Sequence, residues 1–204
     1  MQTTTLLIDA DFTVYKNCAA SEYDMDFGSD LIIVCSHFSD AYGGVVRDIE
    51  NIKRDLSVND VILFFSDSTN FRKDVDSSYK GHRNRKKPCG YKRVIHKLAE
   101  EYPLITMPRL EADDAIGVYA TLNPGCIIVS PDKDMKQIPG KLYNLDETFE
   151  ISEEEGYKWF LIQTLSGDST DGYSGAPGFG VKTSTKWFDK HGYTWESVVL
   201  AFES

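Results

Sequence analysis

Leu6-Leu7-Ile8-Asp9 is a short apolar run that stops on an aspartate. The same pattern recurs at Val61-Ile62-Leu63-Phe64-Phe65-Ser66-Asp67 and at Cys126-Ile127-Ile128-Val129-Ser130-Pro131-Asp132. Runs rich in β-branched and aromatic residues, bounded by Pro, Asn, Asp and Ser, read as buried strands. The stretches between them are long enough to hold crossover helices, so a parallel sheet is the natural arrangement. Parallel strands bring their carboxyl ends to one edge, where open α/β sheets build their sites. Asp9, Asp67 and Asp132 are therefore expected to meet. Converging carboxylates repel one another and lose solvation, so a positive partner must hold them, and a divalent metal is the simplest one.

The chain has 204 residues, 41% of them hydrophobic and 12% aromatic, enough for one domain, with or without a small appendage, and a real core. No apolar run approaches the ~20 residues that span a bilayer. Met-Gln-Thr-Thr-Thr leads directly into the first strand, without the layout of a signal peptide. Cys18, Cys35, Cys89 and Cys126 show no C-x-x-C spacing, which argues against zinc and suits a reducing cytosol. The expectation is a soluble cytoplasmic protein, from a bacterial or virus-infected cell, with no membrane role. A net charge of −10 looks wrong for a nucleic-acid binder, but ten of the 22 Lys and Arg fall between Arg72 and Lys97. Local charge decides such questions, so a polyanionic substrate stays open.

Along the chain, a loop through Cys18 to Asp30 is expected, then a strand at Leu31–Cys35. A helix capped by Ser36 or Ser39 follows, with Val45, Ile49, Ile52 and Leu56 at helical spacing, although Gly43-Gly44 weakens it. The stretch from Asp67 to Gly90 is too polar for core. Lys92 to Tyr102 and Glu111 to Leu122 read as helices, the latter ended by Asn123-Pro124-Gly125. Leu104–Met107, Leu142–Asn144 and Phe149–Ile151 are short strands, and Asp134–Ile138 is a turn of helix. Ser152 with Glu155 spells a capping box that opens a helix to about Leu165. A glycine-rich hairpin and two terminal helices close the chain.

Further acids join the strand ends. Glu111-Ala112-Asp113-Asp114 opens a helix, Asp132-Lys133-Asp134 lies just past a strand, and Asp168-Ser169-Thr170-Asp171 is an i, i+3 pair. Taken singly, each has a bland explanation: a helix-dipole complement, a strand-end turn, an N-cap. Together they make an all-oxygen set without His or Cys, which favours hard cations, Mg²⁺ with Mn²⁺ as substitute. So many carboxylates exceed one ion's need. Two ions about 3.5–4 Å apart is the arrangement used for in-line attack on phosphodiesters.

Two elements suit phosphate. In the connection Gly167–Thr183, Gly175, Gly178 and Gly180 let backbone N–H groups approach an anion, the next helix points its positive end there, and Lys182 adds charge. Thr183 belongs to the same turn. Such a hairpin grips backbone without reading bases. Tyr79-Lys80-Gly81-His82-Arg83 sets an aromatic beside two cations, which suits a frayed single-stranded end, and Arg85 and Lys86 extend the positive run. A merely solvated charge run is the competing explanation for Arg85-Lys86-Lys87.

At this point the residues resemble the flap-endonuclease/5′-3′ exonuclease family, in its bacteriophage and DNA polymerase I forms. The matching pieces are Leu-Ile-Asp-Ala-Asp from Leu7, Phe-Ser-Asp with Phe71-Arg72 following, Tyr79–Arg83, Glu111–Asp114, Ser130–Asp134 and the Gly167–Lys182 hairpin. They stand in family order over roughly residues 5 to 190. The resemblance implies an α/β, PIN-like domain over 1–151, its mostly parallel sheet flanked by helices, with a basic arch-like segment at 68–92. It also implies a helix-hairpin-helix-type (H3TH) DNA-binding region over 152–204. By position, Asp9, Asp67, Glu111, Asp113 and Asp114 match a first metal group. Asp132 is shared, and Asp134, Asp168 and Asp171 match a second. Lys80 and Arg83 match the residues that polarise the scissile phosphate, and the family's hairpin tends to hold K⁺. Two departures stand out: the segment from Arg83 to Lys92 is short and broken by Pro88 and Gly90, and the chain ends soon after the hairpin. A threading arch and a strong duplex grip are not expected.

The reading is a metal-dependent 5′ nuclease, a 5′-3′ exonuclease that extends to flaps or RNA/DNA hybrids, with Lys80, Arg83 and Asp132 carrying catalysis. Its partners are DNA with a 5′ end, nick, gap or flap, and replication proteins; a monomer is expected. The rival is a haloacid-dehalogenase-type phosphatase with Asp9 as nucleophile and Asp11 as general acid. It leaves Glu111–Asp114 and the hairpin unexplained. The non-enzymatic rival, a duplex-binding module without catalysis, leaves the clustered charge without a purpose.

Overall fold

The computed structural model describes residues 4–81 and 86–204. The chain begins with β1 (Thr5–Asp9), α1 (Ala10–Ala20), β2 (Glu22–Asp26), β3 (Ile32–Ser36), α2 (Phe38–Leu56) and β4 (Asp60–Phe64). Next come α3 (Arg72–Val75), α4 (Tyr91–Leu98), β5 (Leu104–Ile105), α5 (Ala112–Leu122) and β6 (Ile127–Val129). A 3₁₀ turn (Lys133–Gln137), β7 (Gly140–Tyr143), β8 (Thr148–Ile151), α6 (Glu153–Ser166), α7 (Val181–His191) and α8 (Trp195–Glu203) complete it. Two compact units result. One takes the described residues of Met1–Asn70, Arg85–Asp132 and Gly140–Phe149; the other takes those of Phe71–Asn84, Lys133–Pro139 and Glu150–Ser204.

The first unit is built on the expected sheet, in the order β5-β4-β1-β6-β7-β8. β1 runs parallel to both β4 and β6, with Leu6 opposite Val61 on one side and Ile127 on the other. β4–β5 and β6–β7 are parallel as well. Strands covered on both faces need apolar residues at every position, which is why these runs are continuous rather than alternating. Leu6, Ile8, Leu63 and Val129 pack with Val14 of α1, Val45 and Ile49 of α2, and Val94 and Leu98 of α4. On the other face Phe64 meets Tyr119 of α5 edge-on, with ring centroids 5.6 Å apart. Each such side chain, fully buried, contributes roughly 1.5–3 kcal/mol.

Two regions fold differently from expectation. After the first strand, where only a loop through Cys18 to Asp30 is expected, α1 covers Ala10–Ala20 and β2 covers Glu22–Asp26, with Asp9 as the N-cap of α1 accepting the Phe12 N–H at 3.4 Å. Its buried positions are Ala10, Thr13, Val14 and Cys18, small residues that a search for large apolar side chains overlooks. The Leu31–Cys35 run is a strand, but it stays outside the main sheet and pairs antiparallel with β2 in a separate ribbon. α2 runs through Gly43-Gly44, and a Cβ on Gly44 would sit 2.4 Å from Asn17 Oδ1, so that glycine allows α1 and α2 to approach.

The second unit has its own core. Leu161 and Leu165 of α6, Phe188 of α7 and Val198 and Ala201 of α8 are buried together. α6 begins with the capping box read from Ser152 and Glu155. Among the described residues, 68–92 holds only the four-residue α3 and the first residues of α4.

Candidate active site

Glu111, Asp113 and Asp114 stand at the start of α5, where the preceding loop turns into the helix. Glu111 is the N-cap, and Asp114 returns the favour by accepting the Glu111 N–H at 3.1 Å. Ser66, just past β4, accepts the Ala112 N–H at 3.0 Å and so ties this helix start to the sheet edge. One ligand oxygen from each of the three acids lies within 4.8 Å of the others. A helix N-terminus carries about half a positive charge, which does not neutralise three carboxylates. An all-carboxylate donor set of this spacing fits a hard divalent cation.

Asp9 ends β1, flanked by Ser130, whose hydroxyl donates to Asp9 Oδ2 at 3.3 Å. Burial, then the charges of Asp11 and Asp113, push the Asp9 carboxyl up to about 7, against the Phe12 and Ser130 hydrogen bonds that lower it. Asp9 thus feels Asp113 of the trio, and a nearby cation would restore its charge. Ser130, which is buried, also accepts the Asp132 N–H at 3.2 Å. Asp67 is placed differently. Its oxygens accept from the Arg109 N–H at 2.7 Å, the Thr69 hydroxyl at 2.8 Å and the Ser68 N–H at 2.7 Å, and these hold its carboxyl below the usual range. Asp9, Asp67 and Asp132 are not part of the 4.8 Å trio.

Asp11 stands in the sequence as the last residue of Leu-Ile-Asp-Ala-Asp and as the general acid of the phosphatase rival, and the structure gives it another task. It accepts the Ser66 N–H at 2.8 Å and the Tyr91 hydroxyl, with Lys87 Nζ 4.0 Å away. It therefore binds the start of α1 to the end of β4 and to α4, which leaves it poorly suited to act as a general acid. Ser66 and Ser130 escaped the sequence reading too. The signal was their place: each hydroxyl directly follows an apolar run and precedes a singled-out aspartate.

In the second unit the acids face donors. Asp168 meets Lys133 Nζ at 3.0 Å and the Thr170 N–H at 2.7 Å. Burial alone would raise its carboxyl, but these partners outweigh it and hold it low. Asp171 meets Lys80 Nζ at 3.4 Å and the Tyr79 hydroxyl at 3.0 Å. Asp134 accepts from the Gln163 amide, and Gln163 in turn accepts from Gln137 at 2.6 Å. Lys80 has φ +53°, a left-handed conformation uncommon for lysine and frequent at functional positions. The Tyr79 ring carries Lys80 Nζ 5.0 Å and the Arg72 guanidinium 5.6 Å from its centroid.

The glycine-rich connection folds as a tight hairpin between α6 and α7, with Asp168 bridged to Tyr173. Gly167 and Gly175 meet back to back. A Cβ on Gly175 would lie 2.3 Å from the Leu165 carbonyl oxygen, and one on Gly167 would lie 2.5 Å from the Ser174 carbonyl carbon. The loop beside them borders an open depression of about 420 Å³, lined by Lys133, Asp168, Thr170 and Tyr173 among others. Gly178 adopts φ +80°, and Gly180 caps α7 through backbone alone, so Lys182 and Thr183 sit exposed in its first turn. Lys86 is exposed. Arg83 and Arg85 lie outside the described residues.

Residues 4–158 match the family model described as 5′-3′ exonuclease, N-terminal resolvase-like domain. The chain is 36% identical over 191 residues to the exodeoxyribonuclease of Enterobacteria phage T3, covering 86% of this chain and 63% of that relative. The exonuclease of Escherichia phage T7 matches at the same identity and the same shares. The chain thus spans 63% of the length of these two relatives. Among solved structures, a T5 5′-exonuclease with zinc bound superposes with a TM-score of 0.72 at 15% identity, over 100% of this chain and 85% of that one. That likeness establishes a shared fold.

Proposed function

The chain belongs to the 5′-3′ exonuclease family through its N-terminal, resolvase-like domain, and we propose that it hydrolyses phosphodiester bonds near 5′ ends of DNA with divalent metal. The observation that carries this reading is the carboxylate trio Glu111, Asp113 and Asp114, within 4.8 Å at the start of one helix. In the first unit that trio, with Asp9, Asp67 and Asp132, holds Mg²⁺, for which Mn²⁺ substitutes. In the second unit Asp134, Asp168 and Asp171 hold another ion. Bound there, such ions acidify water and stabilise charge on the leaving oxygen.

The chain's own residues do the rest. Ser130 orients the Asp9 carboxylate, and the Glu111–Asp114 capping box fixes the trio on the helix start. Lys80 and Arg83 offset charge developing on the phosphate. The hairpin N–H groups at Gly175, Gly178 and Gly180, with Lys182 and Thr183, grip phosphates irrespective of sequence; its carbonyls are our candidate for K⁺. Tyr79 meets the terminal base, and Lys86 and Arg85 attract the strand. Nicks, gaps, flaps and RNA/DNA hybrids are the proposed substrates, met by a monomer in the cytoplasm among replication proteins.

End-labelled nicked, flapped, blunt and hybrid duplexes, incubated with Mg²⁺ beside an EDTA control, test this. Short products released from the 5′ end, only with metal, are expected. Cleavage that survives EDTA, or none on any substrate, removes the nuclease reading; duplex binding without cleavage selects the non-enzymatic module.

A further inference from the structure

β2 and β3 form a two-stranded ribbon that belongs to the first unit but not to its six-stranded sheet. Directly opposed residues share a face, so the pairs Tyr23–Cys35 and Met25–Ile33 lie together. Phe27 and Leu31 extend that face, the Phe27 N–H donating to the Leu31 carbonyl at 2.9 Å. Tyr23, Met25, Phe27, Leu31 and Ile33 are all exposed, Phe27 at 58%. The other face pairs Asp24 with Val34 and Asp26 with Ile32. Between residues 22 and 36 the charged residues are Glu22, Asp24, Asp26 and Asp30; no Lys, Arg or His occurs.

The ribbon is held at its base. Glu22 accepts the Cys89 N–H at 2.7 Å, the Ser21 and Ser36 hydroxyls lie 3.0 Å apart, and the Tyr23 ring stacks on His37. Every residue of β2 is exposed, and among the described residues no strand borders its outer edge. A two-stranded ribbon is marginal in water without a covered apolar face, and an open edge is a template for another strand.

We propose that the outer edge of β2 takes up an extended protein segment in which basic and apolar residues alternate. An added strand repeats the pleat of β2, so its residues facing Tyr23, Met25 and Phe27 must be apolar. Basic residues facing Asp24 and Asp26 bind best, because directly opposed opposite charges stabilise a sheet and like charges destabilise it. That preference sets aside nucleic acid, which meets four carboxylates here. It also sets aside a second copy adding its own β2, which lays acid beside acid. The inference stands independently of the nuclease reading.

Fluorescence anisotropy on the full chain tests it with labelled (Lys-Val)₄. A peptide of equal composition with its lysines and valines in separate blocks, and (Glu-Val)₄, serve as controls. The alternating basic peptide is expected to bind about tenfold more tightly than the blocked one. In the D24K/D26K variant the preference should swap to (Glu-Val)₄. If that variant does not fold, hydrogen exchange on the unaltered chain decides: peptide-induced protection of the 23–26 amides supports the proposal, and protection elsewhere overturns it. Equal binding of alternating and blocked peptides overturns it, as does a preference that fails to swap. Displacement of the peptide by oligothymidylate, or self-association lost in D24K/D26K, assigns the edge to DNA or to a second copy and equally overturns it.

Discussion

Three acids of the first unit stand crowded at one helix start, whereas the three singled out in the second unit each face a donor at a different place. Glu111, Asp113 and Asp114 lie within 4.8 Å, and Asp113 adds to the charge felt by Asp9. Asp168 faces Lys133, Asp171 faces Lys80, and Asp134 faces Gln163. Two sets of carboxylates that look alike in sequence thus differ in spacing: among the described residues only the first contains a trio within 4.8 Å. Crowded carboxylates gain most from a cation brought from solution; carboxylates beside lysine must exchange one positive partner for another. The first set should bind divalent metal more tightly, and the second should respond to changes in its lysines.

The largest effect is expected where crowding is greatest. Asp113→Asn should lower cleavage about a thousandfold, equivalent to roughly 4 kcal/mol of barrier, while duplex affinity changes little. Single-turnover cleavage and a gel-shift titration measure the two separately. Activity within tenfold of the unaltered chain breaks the distinction between the sets. Asp132→Asn, whose backbone N–H is anchored by Ser130, should behave the same way. Next comes Lys80→Ala, which should slow turnover about a hundredfold with little change in KM, since the side chain is proposed to act on developing charge rather than on ground-state binding. A rise in KM at constant kcat points instead to simple substrate attraction.

How much of this was legible depends on what kind of signal each element sends. β1, β4 and β6 were legible because burial on both faces demands unbroken apolar runs, and Asp9, Asp67 and Asp132 ended them visibly. α1 was not, because its buried face is made of Ala10, Thr13, Val14 and Cys18. The ribbon was half legible. Leu31–Cys35 reads as core, yet the strict acid–apolar alternation from Glu22 to Phe27 is the mark of a strand with one wet face. At the site, residue types announced the carboxylates, but not their neighbours. Nothing near Asp11 in sequence points to Tyr91, and nothing near Asp134 points to Gln163, because both contacts arise only when distant segments are brought together. Asp67 is alike: its place at a strand end was visible, but not the Arg109 backbone N–H, 42 residues on, that its carboxylate accepts.

Asp9 and Asp168 should also respond to pH with opposite sign when metal is absent. Asp9 is raised to about 7 in the folded chain, above the ~3.9 of an unfolded aspartate. Its contribution to stability is complete below that unfolded value and is lost as pH rises through 7, by roughly 2 kcal/mol between pH 5 and 7. Asp168 is lowered, so its contribution is present above about 4 and is lost as pH falls below. Urea unfolding in EDTA from pH 2.5 to 8 reads both. Asp9→Asn should flatten the loss toward neutral pH, and an unchanged slope in that variant contradicts the crowding around Asp9.

The smallest effect is the most direct measure of the difference between the sets. Lys133 Nζ sits 3.0 Å from Asp168 Oδ2, with about half of the lysine side chain exposed. Exposed ion pairs of this kind are worth up to about 1 kcal/mol, so the pair adds little to folding, yet the ammonium occupies the space and charge a cation would need. Lys133→Met retains the apolar stem and removes the competitor. Divalent affinity at the second set should then rise about threefold, the equivalent of roughly 0.7 kcal/mol, and affinity at the first set should not move. Calorimetric titration with Mn²⁺ resolves the two classes, and Asp113→Asn identifies which is which by abolishing the tighter one. A rise in both classes points to long-range charge instead, and added salt diagnoses it because screening removes it. If the weaker class is unchanged, the lysine is a bystander, and Asp168 owes its low pKa chiefly to the Thr170 N–H that remains.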